Sequence, residues 1–147
     1  MLTIDEGMLR VLGSVSLFTG LDRVHLIWLL SAAERVNCKQ DDLFFDEGDA
    51  GDKFFVFIKG ASAVEKRSGD GWSKIVDLRP GDTFGEMAII DGAPRSARVR
   101  AMSDSIALCL PQRRLEASPE VAAVVYRNIA RMQAARVRDA NEKLFAK

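Results

Sequence analysis

Five consecutive residues, Phe54-Phe55-Val56-Phe57-Ile58, carry no polar side chain, and they limit the fold more than any other segment. Aromatic and β-branched residues in a run of this length favour a strand. A strand that is apolar at every position, not at alternate ones, has to be covered on both faces. A lone sheet with one wet face is thereby excluded. Around this run lie further short strand candidates: Leu43-Phe44-Phe45, Ala61 to Lys66, Trp72 to Leu78, Ala97 to Met102 and Ile106 to Leu110. Between them stand turn signals: Glu47 to Asp52, Lys59-Gly60, Ser68-Gly69-Asp70-Gly71 and Pro80-Gly81-Asp82. Many short strands punctuated by glycine predict a jelly roll, that is, a double-stranded β-helix.

Helices flank the roll. Thr3 and Glu6 have the spacing of a capping box, and Leu9 and Leu12 continue an apolar face towards Gly13. Gly20 and Asp22 open a second helix, in which Val24, Ile27, Trp28 and Leu30 recur at helical intervals. Ser118 and Pro119 start a third; Val121, Val125, Ile129, Met132 and Leu144 fall near one of its faces. Reaching Lys147, that helix would be roughly 40 Å long at about 1.5 Å per residue. The expected class is α+β, mainly β, in one domain over 1–147. Helices occupy 1–34, the roll 35–112 with an interruption at 84–97, and the terminal helix 118–147.

Composition removes several functions. Lys+Arg 21 balances Asp+Glu 21, so no overall field draws the chain to nucleic acid. Arg127, Arg131, Arg136 and Arg138 read as a solvated basic face. No apolar stretch is long enough to cross a membrane, and no secretory signal precedes Thr3. Cys38 and Cys109 read as buried thiols, and a cytoplasmic location is the expectation. One histidine, His25, and two cysteines do not make the usual zinc or iron site, and no nucleophile with a base beside it is evident. No enzyme activity is expected. Asp49 and Asp52 read as turn-formers beside glycine.

The interruption carries the chemistry. Glu86 to Ile90 predicts one helical turn, closed by Asp91-Gly92. Gly85 admits a ligand close to the backbone, and the free N–H groups of the turn favour an anion. Pro94 fixes its own φ and aims Arg95. Arg95 can grip phosphate oxygens bidentately, with the Ser96 hydroxyl and the Ser96 and Ala97 N–H groups as further donors. Glu86 can accept from a sugar hydroxyl. A small sugar phosphate satisfies this set better than a plain acid, which would give Glu86 nothing to accept. Met87 and Ala88 complete the turn beside it.

Phe84-Gly85-Glu86-Met87-Ala88 followed by Pro94-Arg95-Ser96-Ala97 resembles the phosphate-binding cassette of the cyclic nucleotide-binding domain family. That family includes bacterial catabolite activators, protein kinase A regulatory subunits and cyclic nucleotide-gated channels. Leu17-Phe18-Thr19-Gly20-Leu21, Glu47-Gly48-Asp49, Gly60 and Pro80-Gly81-Asp82 extend the resemblance across nearly the whole chain. It implies that Glu86 and Gly85 hold the ribose 2′-hydroxyl, and that Arg95, Ser96 and Ala97 hold the cyclic phosphate. Val64, Ile75, Val76 and Phe84 would surround sugar and base. From the terminal helix Asn141 would reach the base edge, while Ala140 departs from the polar pattern of the activator branch. The implied ligand is cAMP, with cGMP as the alternative and Ser96 leaning towards cAMP; no cofactor is implied. The implied partners are an effector protein or output domain and a second copy joined through the terminal helix, with neither a membrane nor DNA engaged by this chain. No output unit is read in it. A competing reading makes the roll a scaffold that has lost its ligand, in which case Arg95 is dispensable.

Overall fold

A computed structural model describes residues 3–146. Met1, Leu2 and Lys147 lie outside the described residues, and with them the expected reach of the last helix to Lys147. The chain runs α1 (Glu6–Gly13), a 3-10 turn (Ser16–Phe18) and α2 (Arg23–Leu30). Then come β1 (Glu34–Cys38), β2 (Leu43–Phe45), β3 (Lys53–Lys59), β4 (Ser62–Ser68), β5 (Gly71–Leu78) and β6 (Thr83–Phe84). The remainder is α3 (Met87–Asp91), β7 (Arg98–Ala101), β8 (Ser105–Pro111), α4 (Gln112–Glu116) and α5 (Pro119–Phe145). The strands form two antiparallel four-stranded sheets, β1-β8-β3-β6 and β2-β7-β4-β5, closed face to face as a β-roll.

Strand β3 shows why its sequence has no polar residue. Successive side chains of a strand point to opposite faces. Phe54 and Val56 join the core shared with the helices, among Leu12, Leu29, Leu30, Leu115, Val121 and Val125. Phe55 and Phe57 point into the roll, against Leu78, Phe84, Val99, Ala107 and Cys109. Both faces are therefore dry, one covered by helices and the other by the second sheet.

Helix α1 is capped by Asp5, whose Oδ1 accepts from the Met8 N–H at 2.8 Å, and not by Thr3 as the capping-box spacing predicts. Asp22 caps α2 and Ser118 caps α5 as expected. His25 packs between helices, its ring nitrogens 2.9 Å from Asp22 Oδ1 and 3.2 Å from Glu120 Oε2, which ties α2 to the start of α5. Asn128 fixes α5 further along: its buried amide donates to the Leu17 and Thr19 carbonyls, both at 2.8 Å. The apolar stripe of α5 ends sooner than its periodicity predicts. Val121, Val125 and Ile129 are buried, whereas Leu144 is 69% exposed, because α5 continues past the roll it packs on. Strands β1 and β6 and helix α4 were not foreseen: β6 and α4 are too short to show a period, and β1 is mostly polar and exposed. Among the described residues no helix is long and apolar enough to cross a membrane.

On the outer face of the second sheet, Glu65 is buried between two arginines. Arg98 Nε donates to its Oε1 at 2.9 Å, Arg100 Nη2 to its Oε2 at 3.0 Å, and the Arg98 guanidinium lies 3.7 Å from the Trp72 ring centre. The Arg100 hydrogen bond, ahead of the other contributions, holds the Glu65 carboxyl below the usual range. A depressed carboxylate contributes stability that is complete above its unfolded value of about 4.3 and is lost as pH falls further. Glu65→Gln, which keeps an acceptor oxygen but loses the charge, should therefore cost about 2 kcal/mol near neutrality. Its melting temperature should draw progressively closer to that of the parent chain as pH falls below about 4; a gap that is constant with pH would contradict this role.

The turn between β3 and β4 depends on one glycine. Gly60 has φ +104°, and a Cβ there would sit 2.4 Å from the Asp104 carbonyl oxygen. Gly60→Ala should thus destabilise the roll by about 2–3 kcal/mol, measured by urea unfolding. A loss within experimental error would show that the turn can relax.

Candidate functional site

The two halves of the 84–97 segment are held by different neighbours. Phe84 pairs with Phe55 across β3–β6 and stacks on its ring at 4.9 Å, inside a cluster with Phe44, Phe45 and Phe57. It is 4% exposed, so it forms the floor beneath the site and not a free wall. Gly85 follows at φ +77°, where a Cβ would meet Arg95 Nη1 at 2.8 Å. Helix α3 is a single turn ended by Gly92 at φ 68°, with the Ala93 N–H donating to Asp91 Oδ1 at 2.9 Å. Within it Ala88 is buried and Met87 is 53% exposed.

Arg95 is locked at backbone and side chain. Its N–H donates to the Asp49 carbonyl and its own carbonyl accepts from the Gly48 N–H, both at 2.8 Å. The same turn is closed by Asp49 Oδ2 accepting from the Asp46 N–H at 2.9 Å, the turn-forming role expected of Asp49. The guanidinium donates through Nη1 to the Gly85 carbonyl at 2.6 Å and through Nη2 to the Lys53 carbonyl at 2.8 Å. It lies 4.1 Å from the Phe45 ring centre. Gly51 leaves room for it, since a Cβ there would stand 3.1 Å from Arg95 Cζ and 2.3 Å from the Ala88 Cβ. Arg95 is 6% exposed, and its Nε–H is buried without a hydrogen-bond partner. Burial pulls its pKa below the usual arginine range, opposed by Asp52 and other neighbouring groups. An arginine stays charged under such conditions. A buried cation with an unmet donor is a strong electrostatic demand for an anion.

Glu86 is 3% exposed and does not pair with Arg95. Its Oε1 instead accepts from Gln133 Nε2 and Arg136 Nη1 of α5, each at 3.1 Å. Sequence reasoning missed both partners and assigned Arg136 to a solvated face. The signal available was that Gln133 and Arg136 continue the Val125–Ile129 stripe at helical spacing. Asn141, expected near the ligand, is exposed and lies about 7 Å beyond Arg136 along the helix.

Ser96 is exposed and Ala97 half-buried, and the Ser96 carbonyl accepts from Lys66 Nζ at 2.7 Å. Lys66 is also paired with Glu47 at 3.2 Å, so the strand of Val64 is tied to the segment that follows Arg95. Val64 is half-buried, while Ile75 and Val76 are 58% and 49% exposed. Ile75 is the extra residue where the β4–β5 register shifts between Val64 and Glu65. A cavity of about 360 Å³ lies between α3 and α5, lined by Met87, Ile90, Tyr126, Ile129, Ala130 and Gln133. The arrangement therefore joins a buried cation, a buried carboxylate and apolar side chains, with α5 gripping the carboxylate. No group of three or more metal-ligating side chains occurs among the described residues.

Residues 35–118 match the family described as cyclic nucleotide-binding domain. The cAMP-dependent protein kinase regulatory subunit of Dictyostelium discoideum is 32% identical over 95 residues, covering 62% of this chain and 29% of that protein. The CRP-like cAMP-activated global transcriptional regulator of Mycobacterium tuberculosis is 25% identical over 140 residues, covering 92% of this chain and 61% of the regulator. Among solved structures, the catabolite activator protein of Thermus thermophilus matches with a TM-score of 0.78 at 29% identity, over 88% of this chain and 61% of that one. The chain thus spans less than two thirds of each of these relatives.

Proposed function

The chain belongs to the family of cyclic nucleotide-binding domains, and from that premise we propose that it is a cAMP sensor whose helix α5 transmits occupancy of the cassette. The observation that carries this reading is the buried Arg95 with its unpartnered Nε–H. A cyclic phosphate supplies the missing acceptor, and Ser96 and the Ala97 N–H complete its contacts. The ribose 2′-hydroxyl donates to Glu86 Oε2, the oxygen that α5 leaves free. Val64, Ile75, Val76 and Met87 offer apolar cover to sugar and base. Both cAMP-linked relatives named above support the choice of adenine nucleotide for this chain.

Transmission follows from Glu86 being shared. Ligand and α5 hold the two oxygens of one carboxylate, so binding shifts the equilibrium between positions of α5 by its differential affinity for the two states, commonly about 1–3 kcal/mol. The apolar cavity between α3 and α5 gives the helix space in which to settle. Beyond it, Val137 and Leu144 stand exposed seven residues apart, the repeat of a coiled-coil seam, which supports pairing with a second copy through α5. An effector protein or output domain would receive the signal.

Thermal unfolding tests the ligand. At about a hundred times its dissociation constant, cAMP should add roughly 2.7 kcal/mol, a rise of roughly 5–10 °C for a domain of this size. At equal concentration cGMP should raise it less. No shift with either nucleotide at millimolar concentration would favour the ligand-free scaffold.

A further inference from the structure

A second and larger hollow lies apart from the cassette. It measures about 1160 Å³ and runs along the end of the β1–β8–β3 sheet, between the α2–β1 connection and the start of α4. Arg35, Lys53, Arg113 and Arg114 line it, with Glu34 as the one carboxylate among the lining residues. Among the described residues none of these four cations forms an ion pair, although the chain as a whole has no net charge. Four other arginines do have a carboxylate partner: Arg98 and Arg100 pair with Glu65, Arg136 with Glu86 and Arg23 with Glu6. What sets this place apart is their grouping: four cations without a carboxylate partner line one hollow, with a single acidic residue among them.

We propose that this groove docks an acidic segment of a partner protein. Its volume exceeds the roughly 300–1,000 Å³ of a small-ligand pocket, which suits an extended chain. Its lining also includes Met8, Ala33 and Pro111, apolar residues that a peptide side chain can cover. Arg114 is preorganised: its guanidinium stacks 3.9 Å from the Trp28 ring centre and donates to the Trp28 carbonyl and the Ser31 hydroxyl. A fixed arginine loses little freedom on binding. Glu34, set among the cations, repels a continuous phosphate backbone more than a peptide whose acidic residues can be spaced around it. The groove meets the cassette at one residue, Lys53, whose carbonyl accepts from Arg95.

Fluorescence anisotropy with a fluorescein-labelled dodecapeptide of glutamate, aspartate and leucine, added to the whole chain, reads the docking. Saturable binding is expected, weakened tenfold or more when Arg35→Glu and Arg113→Glu are combined, and weakened by added salt. The milder pair Arg35→Ala and Arg113→Ala should weaken it by a smaller factor with an unchanged melting curve, which separates lost charge from lost fold. Unchanged affinity in the charge-reversed chain would overturn the proposal. So would the absence of saturable binding at low salt, or duplex DNA of equal charge displacing the peptide. The readout contains no nucleotide, so failure of cAMP binding and failure of docking are separate results.

Discussion

Arg95→Ala is expected to weaken cAMP binding at least a hundredfold, more than any other single substitution in the chain. The guanidinium is held in place before any ligand arrives, by the Gly85 and Lys53 carbonyls and the Phe45 ring. Little ordering therefore accompanies binding, and the charge-assisted contact is expressed almost in full. Truncating one member of a desolvated charge pair costs about 2–5 kcal/mol. The substitution also leaves two carbonyls without their donors, so the roll itself should lose about 1–3 kcal/mol. Arg95→Lys separates the two effects, since an ammonium keeps the charge but cannot span both carbonyls and a phosphate. It should bind cAMP more weakly than the parent and more tightly than Arg95→Ala. Titration calorimetry on chains shown to be folded by circular dichroism provides the measurement. Equal affinity in parent and alanine variant would leave Arg95 with a structural role only.

The second large effect concerns Glu86. Removing the 2′-hydroxyl from the ligand should cost the parent chain about 1.5–3 kcal/mol, the range for a hydrogen bond to a charged acceptor. In Glu86→Ala that penalty should vanish, so that cAMP and 2′-deoxy-cAMP bind alike. The cycle isolates the contact from any general loosening of the cassette. Glu86→Ala also strips Gln133 and Arg136 of their acceptor, and α5 should then exchange amide hydrogens faster over its outer half. Should the deoxy ligand bind the parent chain as tightly as cAMP, the carboxylate is not a sugar contact and its burial serves α5 alone.

What could be read from the sequence follows the range of the interactions. The two-faced burial of β3 was legible because the cause is local: five apolar residues in a row admit few outcomes. The cassette was legible as a cluster of chemistry, and Arg95 and Glu86 are both buried as inward-facing groups would be. Their partners were not. Glu86 finds Gln133 and Arg136 about fifty residues away, a pairing set by how α5 crosses the roll. The Glu65–Arg98–Arg100 cluster depends on the β4–β7 register, which no short pattern encodes. The cap of α1 is Asp5 and not Thr3: two good capping residues stand two positions apart, and it is the Asp5 carboxylate that meets a free N–H, that of Met8. Leu144 falls on the same face of α5 by periodicity as Val121, Val125 and Ile129 yet stands exposed, because the period persists beyond the point where the roll stops covering the helix.

A crystal structure of the chain grown with cAMP addresses the central claim most directly. The prediction is a cyclic phosphate oxygen within hydrogen-bond distance of Arg95 Nε, the 2′-hydroxyl on Glu86 Oε2, and α5 shifted in position while Glu86 bridges it to the ligand. A cassette left empty at saturating ligand, or a nucleotide bound elsewhere with the Arg95 Nε–H still without an acceptor, would contradict it.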